Sequence, residues 1–216
     1  MIQQPFGGVF FLLWKVLCIK TYRQVILNNT HWEEATKRVN RSKIFNGSHR
    51  KKEGNQVGYL GEVVFEEFLK QSEVDFVNET HKTTHDYLVN NSISLDVKTK
   101  DRTVEPQKHF DNSVPLYNHE HQRPDYYYFI SLLRNKLDNS DDIKRFTHAF
   151  IVGGIDIATL ERHGKYWEKD QVDPSNGTKF WTDCINVNMM QLIDNHEMIT
   201  IFDKKYEYGT QLQLSM

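Results

Sequence analysis

The chain contains little cysteine, little proline and no excess of either charge. Its 216 residues include 2 cysteines and 5 prolines, and 27 Lys and Arg residues nearly balance 29 Asp and Glu residues. Cys18 and Cys184 form no CxxC pair, which argues against a disulfide framework and indicates a reducing compartment. The net charge of −2 excludes a surface coated in positive charge, although a local basic groove is compatible with it.

The sequence also lacks a long uninterrupted apolar run. Near the N-terminus, PFGGVFFLLWKVLCI is interrupted by Lys15 and is short for a membrane span. It has no basic leader region and no clear small-residue cleavage site, so we predict no signal peptide. We assign residues 1–27 to an apolar N-terminal extension, either a buried strand or short helix or a poorly packed segment. A membrane anchor is the less favoured alternative, and no membrane contact is expected.

Residues 28–216 alternate between helical and strand patterns. A helix is predicted over 31–45 with Thr30 as its N-cap, and another over 55–71, whose apolar residues form a broad arc. Asp156 is predicted to cap a third, short helix. Strand patterns occur at 74–77, 85–89, 92–100, 125–133 and 146–155. This order predicts one α/β domain with a mixed central sheet flanked by helices.

The stretch SISLDVKTKDR carries the densest candidate chemistry. Its residues alternate between an apolar face and a polar face, the polar residues being Ser94, Asp96, Lys98 and Lys100. Before it, Asn90 and Asn91 tolerate left-handed backbone and predict a turn between two strands. A turn centred near Asn91 would place Asp86 opposite Asp96. Taken alone, Asp96 and Lys98 are more typical of a surface ion pair between side chains than of a catalytic site.

Glu62 lies at the edge of the apolar arc of the helix over 55–71. Packing this helix on the sheet would bring Glu62 near Asp86, Asp96 and Lys98. Clustered carboxylates repel each other unless a cation joins them, and Mg²⁺ prefers oxygen ligands. A neighbouring lysine can orient the attacking water and stabilise transition-state charge. This constellation therefore suits metal-assisted phosphodiester hydrolysis.

The segments GYLGEVVFEEFL, HDYLV and LDVKTK together resemble the core of the PD-(D/E)xK, or restriction-endonuclease-like, nuclease superfamily. The motifs span Gly58 to Lys100, and the chain as far as about Leu192 is similar to nuclease-like proteins of phages and large viruses. The resemblance implies a restriction-endonuclease-like α/β core and an endonuclease dependent on Mg²⁺ or Mn²⁺. It favours DNA over RNA as substrate. It also implies a cytoplasmic location, in the host cell if the source is viral.

The resemblance further implies residue roles, with Glu62, Asp86, Asp96 and Lys98 as the catalytic set. The implied metal ligands are Asp86, Asp96, the carbonyl of Val97, and Glu62. One departure is that the first acidic motif is His-Asp-Tyr rather than Pro-Asp, which bears on the assignment of Asp86. Glu66, one helical turn from Glu62, is the alternative to it.

Basic residues near these motifs are candidates for phosphate contacts: Arg50, Lys51, Lys52, Lys100 and Lys108. For the basic stretch 37–52, a solvated helix face is an equally good interpretation. Lys108 lies in the polar, proline-containing segment 101–124, which is predicted to be a loop. A homodimer would be needed by a junction resolvase but not by a degradative nuclease.

Other interpretations compete with a nuclease. The main rival is a catalytically silent nucleic-acid-binding or assembly protein that keeps a nuclease fold. A weaker one, a membrane-associated or oligomer-forming subunit, rests on the apolar N-terminus. The histidine pairs His81/His85 and His119/His121 suggest zinc, but no cysteine lies near and no third ligand has suitable spacing, so a zinc site is not expected.

Overall fold

The computed structural model describes residues 22–41, 51–117 and 119–203, with backbone only for 51–55. The predicted phosphate contact Arg50, and residues 1–21 of the N-terminal extension, lie outside these ranges. The strands are β1 Arg23–Ile26, β2 Phe76–Asn78, β3 Tyr87–Val89, β4 Ile93–Arg102, β5 Asp111–Pro115, β6 Tyr126–Arg134, β7 Phe146–Asp156, β8 Lys165–Trp167 and β9 Cys184–Asn188. The helices are α1 Asn29–Arg41, α2 Lys51–Gln71, α3 Ile157–His163 and α4 at 195–203.

Two sheets organise the described residues. Six strands form the larger sheet in the order β1-β7-β6-β4-β3-β2, and β5-β9-β8 form the smaller one. Within the larger sheet β4 and β6 are parallel, whereas the other neighbouring pairs are antiparallel. The prediction of an α/β fold with a mixed sheet is confirmed.

The larger sheet is buried on both faces, as the near-continuous apolar sequence of β6 requires. Tyr128, Ile130 and Leu132 enter one core together with apolar residues of α2. Tyr127 and Phe129 enter a second core with residues of the smaller sheet and of α3. Successive side chains of a strand point to opposite faces, so one strand supplies both cores. On neighbouring β4, Asp96 is buried, whereas Ser94, Lys98 and Lys100 are half-buried.

The contact between α2 and β4 depends on Gly61. A Cβ at this position would overlap Thr99 Oγ1 and lie within 3 Å of two further Thr99 atoms. Glycine therefore permits the helix to lie directly against the strand, one residue beyond Lys98. By contrast, a Cβ at Gly58 would meet nothing within 4 Å. This close approach brings the next helical residue, Glu62, to the strand that carries Asp96.

Several boundaries differ from the prediction. Asn28, rather than Thr30, caps α1, which begins at Asn29: Asn28 Oδ1 accepts hydrogen bonds from the backbone N–H groups of Thr30 and His31, at 3.0 and 3.4 Å. The segment 101–124 is not all loop, since β5 pairs there with β9. The last residues of the stretch 1–27 form β1, which pairs with β7.

The third helix agrees with its prediction. Asp156 Oδ1 accepts a hydrogen bond from the Thr159 N–H at 2.8 Å and caps α3, which ends before Gly164. None of the helices in the described part of the chain is long and apolar enough to cross a membrane.

Candidate active site

The hairpin β3–β4 places the two aspartates side by side. Tyr87 pairs with Leu95, and the Asp86 N–H donates to the Leu95 carbonyl at 2.9 Å. The paired register ends at Tyr87, so Asp86 directly precedes β3 and its backbone bonds to Leu95 rather than to Asp96. Asn90 and Asn91 make the turn with φ of 47° and 53°, the left-handed backbone that asparagine tolerates. The predicted turn between two strands is confirmed, and it brings Asp86 near Asp96 without pairing their backbones.

Asp96 and Lys98 form a buried ion pair. Lys98 Nζ lies 2.5 Å from Asp96 Oδ2, and the lysine side chain is 20% exposed. Asp96 itself is 0% exposed. The alternative of a surface ion pair is therefore wrong for these residues. Two charges withdrawn from water this far are costly unless they are paired, so each residue depends on the other.

Asp86 is held against β4 by its carboxylate. Its Oδ2 accepts a hydrogen bond from the Val97 N–H at 2.8 Å. Burial, followed by the negative charges of Asp96 and Glu62, raises the pKa of Asp86 well above its ordinary value. Lys98 and the Val97 N–H oppose this rise. A carboxyl perturbed in this way by burial and by like charges is typical of a functional cleft.

The pKa of Glu62 is shifted by burial and by the same group of neighbouring charges. Burial, together with the charges of Glu66 and Asp96, raises the pKa of Glu62 to about 7, against the opposing charges of Arg38 and Lys98. Its side chain is 13% exposed, and Oε2 lies 3.8 Å from Arg38 Nη1. Glu62 Oε2 accepts no hydrogen bond from the described residues. This glutamate is therefore a buried carboxyl with an unused oxygen.

Glu66, the alternative to Glu62, is engaged elsewhere. Arg38 donates to both of its oxygens at 2.8 and 2.7 Å, Asn78 donates at 2.7 Å, and the Tyr87 hydroxyl donates at 3.1 Å. Burial alone would raise the pKa of Glu66, but the hydrogen bonds from Arg38 and Asn78 hold it below its ordinary value. With its oxygens satisfied, Glu66 fixes α1 and β3 to α2.

Lys98 stays charged in this environment. Burial would lower the pKa of Lys98, yet Asp96 and Asp86 together raise it above its ordinary value. Nζ also lies 5.9 Å from the centre of the Tyr127 ring, within range of a cation–π contact. A lysine protonated at neutral pH can donate hydrogen bonds to water or to a phosphate oxygen, but it cannot serve as a base.

The sequence did not indicate the contact between Gln122 and the site. The Gln122 side-chain amide donates to Asp96 Oδ1, and its backbone carbonyl accepts from the Tyr127 hydroxyl at 3.1 Å. In the same loop, His119 and Arg123 contact Glu161 of α3 at 2.9 and 2.7 Å. A polar residue in a loop without periodicity carries no sequence signal for such a contact, which only the fold creates.

Whether these residues can bind a divalent cation depends on the oxygen atoms that their side chains offer as ligands. Within residues 22–41, 51–117 and 119–203, no three His, Cys, Asp or Glu side chains are gathered closely enough to hold an ion. Nevertheless Glu62 Oε2 is buried without a hydrogen bond, and Asp86 and Glu62 each have a pKa raised by neighbouring carboxylates. Mg²⁺ needs only one or two carboxylates, because water completes its octahedral shell. The donor set fits such an ion.

Of the predicted phosphate contacts, the structure describes the side chains of Lys100 and Lys108. Lys51 and Lys52 begin α2, and their side chains lie outside the described part. Lys100 is on β4, where Nζ donates to the Asp111 carbonyl at 3.2 Å. Lys108 is exposed in the turn before β5.

A scan against protein-family models and a search of curated proteins each found no match to this chain.

Proposed function

We propose that this protein is a metal-dependent nuclease that hydrolyses phosphodiester bonds, with DNA as the favoured substrate. The observation that carries the proposal is the buried pair of Asp96 and Lys98, set beside Asp86 and within the electrostatic influence of Glu62. A structural role would be served better by apolar residues of similar size, since buried charges seldom add net stability. Four ionisable groups kept together in an interior favour a chemical role over a structural one.

The order of elements supports a restriction-endonuclease-like fold. Helix α2 is followed by β2, β3 and β4, which pair as a meander, and β6 then lies parallel to β4. This is the helix–strand–strand–strand order that the sequence resemblance implies. In such a core the two aspartates come from adjacent strands and the glutamate from the helix, which are the positions of Asp86, Asp96 and Glu62 here.

Each residue then has a definite role. Asp86, Asp96 and Glu62, with the Val97 carbonyl that the resemblance implies, would hold Mg²⁺ or Mn²⁺. The ion supplies an acidified water and neutralises charge that develops on the phosphate. Lys98, which stays protonated, donates a hydrogen bond that positions the attacking water and stabilises the transition state.

The test is a cleavage assay on the full chain. Linear, supercoiled, single-stranded and branched DNA, and RNA, are incubated with Mg²⁺, Mn²⁺ or EDTA. Asp96→Asn and Lys98→Met keep approximate side-chain size, and thermal melting shows which variants remain folded. Lys82→Ala is the matched control, because Lys82 is an exposed lysine paired with Glu79 at 2.6 Å.

We expect cleavage that requires the metal, persists in Lys82→Ala and falls at least 100-fold in the folded site variants, the order of loss typical for a group that stabilises transition-state charge. Equal cleavage by all variants would identify a contaminating activity. Binding of DNA without cleavage of any substrate would favour the catalytically silent alternative.

A further inference from the structure

Three aromatic side chains are exposed in the described part of the chain, and two of them are in contact. Tyr117 and Trp181 are 49% and 39% exposed. Their ring centres lie 5.4 Å apart with planes tilted by 41°. Most other aromatic residues of the smaller sheet and of β6 are buried in the two cores, or partly buried against them. An exposed pair of large rings is costly in water and is typical of a binding surface.

Backbone hydrogen bonds place this aromatic pair at one end of the smaller sheet, which the loop containing Gln122 joins to the candidate active site. The Leu116 N–H donates to the Asp183 carbonyl at 2.9 Å, extending the β5–β9 pairing and bringing Tyr117 and Trp181 to one end of the smaller sheet. The same loop turns back, since the His119 N–H donates to the Leu116 carbonyl at 3.0 Å. Gln122, five residues after Tyr117, reaches Asp96. Five extended residues span at most about 18 Å.

Two lysines of β4 lie near the chain segments on either side of Tyr117. Lys98 Nζ lies 5.9 Å from the centre of the Tyr127 ring, and the Tyr127 hydroxyl donates to the carbonyl of Gln122, in the loop that follows Tyr117. Lys100 contacts the Asp111 carbonyl of β5, so it also lies toward the smaller sheet. Lys98 therefore lies near the loop that follows Tyr117, and Lys100 contacts the strand that precedes it.

We propose that Tyr117 and Trp181 form a stacking platform for a nucleobase of a single-stranded segment whose backbone enters the candidate active site. The inference rests on the proposed nuclease function and adds a substrate class to it. Bases in a duplex have their faces covered by their neighbours, whereas an unpaired base offers a face to an aromatic ring. Stacking is sequence-tolerant, so the platform would select unpaired structure rather than a base sequence.

The experiment measures binding and cleavage separately. A fluorescein-labelled 20-nucleotide single strand and the matching duplex are titrated with the full chain in EDTA, where no metal-dependent cleavage occurs. The variants are Tyr117→Ala and Trp181→Ala, with Tyr117→Phe as the conservative form. Tyr166→Ala is the matched control, because Tyr166 is 52% exposed and lies on β8, the outer strand of the same sheet.

We expect each alanine variant to lose about 5- to 100-fold in single-strand affinity, the range for one base–aromatic stack. Tyr117→Phe and Tyr166→Ala should bind as wild type. Duplex affinity should change little, and the salt dependence should be unchanged, because stacking releases no counterions. A further variant, Trp181→Phe, should show less quenching of its tryptophan fluorescence on adding the single strand than wild type does.

Two results would overturn the platform, and they are distinguishable. If wild type cleaves nucleic acid and both alanine variants keep their single-strand affinity, the platform is wrong and the nuclease function stands. If wild type neither binds nor cleaves any nucleic acid, both proposals fail together. An equal loss of single-strand and duplex affinity in the alanine variants would also refute selection of unpaired bases.

Discussion

The raised pKa of Glu62 predicts that the protein loses stability as the pH rises. In the unfolded chain this carboxyl ionises near its ordinary value of 4.5, whereas in the folded protein its pKa is about 7. Between these values the folded state binds the extra proton, so the free energy of unfolding falls with increasing pH and the loss is complete above pH 7. At about 1.4 kcal/mol per pH unit, the shift corresponds to about 3 kcal/mol.

Glu62→Gln isolates this effect, because the amide is nearly the same size and does not ionise. We expect the variant and wild type to have similar stability near pH 4.5, and the variant to be more stable by about 3 kcal/mol at pH 8. Urea denaturation in EDTA at several pH values measures the difference. The exposed Glu105 offers a matched control, and Glu105→Gln should show no such trend.

Divalent cations provide a second measurement of the same residue. An ion that binds only the folded state raises the free energy of unfolding by mass action. Addition of Mg²⁺ at pH 8 should therefore stabilise wild type more than Glu62→Gln. A difference between wild type and Glu62→Gln that does not change with pH would refute the assignment of a buried, unneutralised carboxyl at this position.

Two further predictions concern the packing that supports the site. Gly61→Ala should destabilise the protein by about 1–3 kcal/mol in urea denaturation, because the added Cβ meets Thr99. Gly58→Ala is the control and should be neutral or stabilising, since its Cβ meets nothing. Equal effects at the two glycines would contradict the close approach of α2 to β4. Arg38→Ala should lower the free energy of unfolding by about 3–5 kcal/mol, because it leaves the buried Glu66 carboxylate without its main partner. A decrease below about 1 kcal/mol would show that the protein does not depend on this ion pair.

The elements with strong local patterns were predictable. The apolar arc of α2, the β-prone residues of β6 and β7, and the Asp156 cap of α3 each depend on interactions within a few residues. The same holds for the turn at Asn90 and Asn91, which joins β3 to β4 and so brings Asp86 near Asp96. For this reason the relation of two of the candidate site residues could be predicted without tertiary structure.

Contacts between distant segments were not predictable in the same way. Glu62 and Glu66 are one helical turn apart and have similar sequence surroundings. They differ because Arg38 of α1 binds both oxygens of Glu66 and leaves Glu62 Oε2 without a hydrogen bond. Likewise, Gln122 reaches Asp96 only because the loop before β6 folds back over β4.

The sequence by itself determined the class of fold, because periodicity, capping and turn residues act locally, and it singled out the candidate site residues through their charged side chains on one strand. Tertiary structure alone decided the burial of Asp96 and Lys98, the pKa of Glu62 and the meeting of Tyr117 with Trp181. Burial and charge coupling depend on which distant segments exclude water from a residue, and no local pattern contains that information.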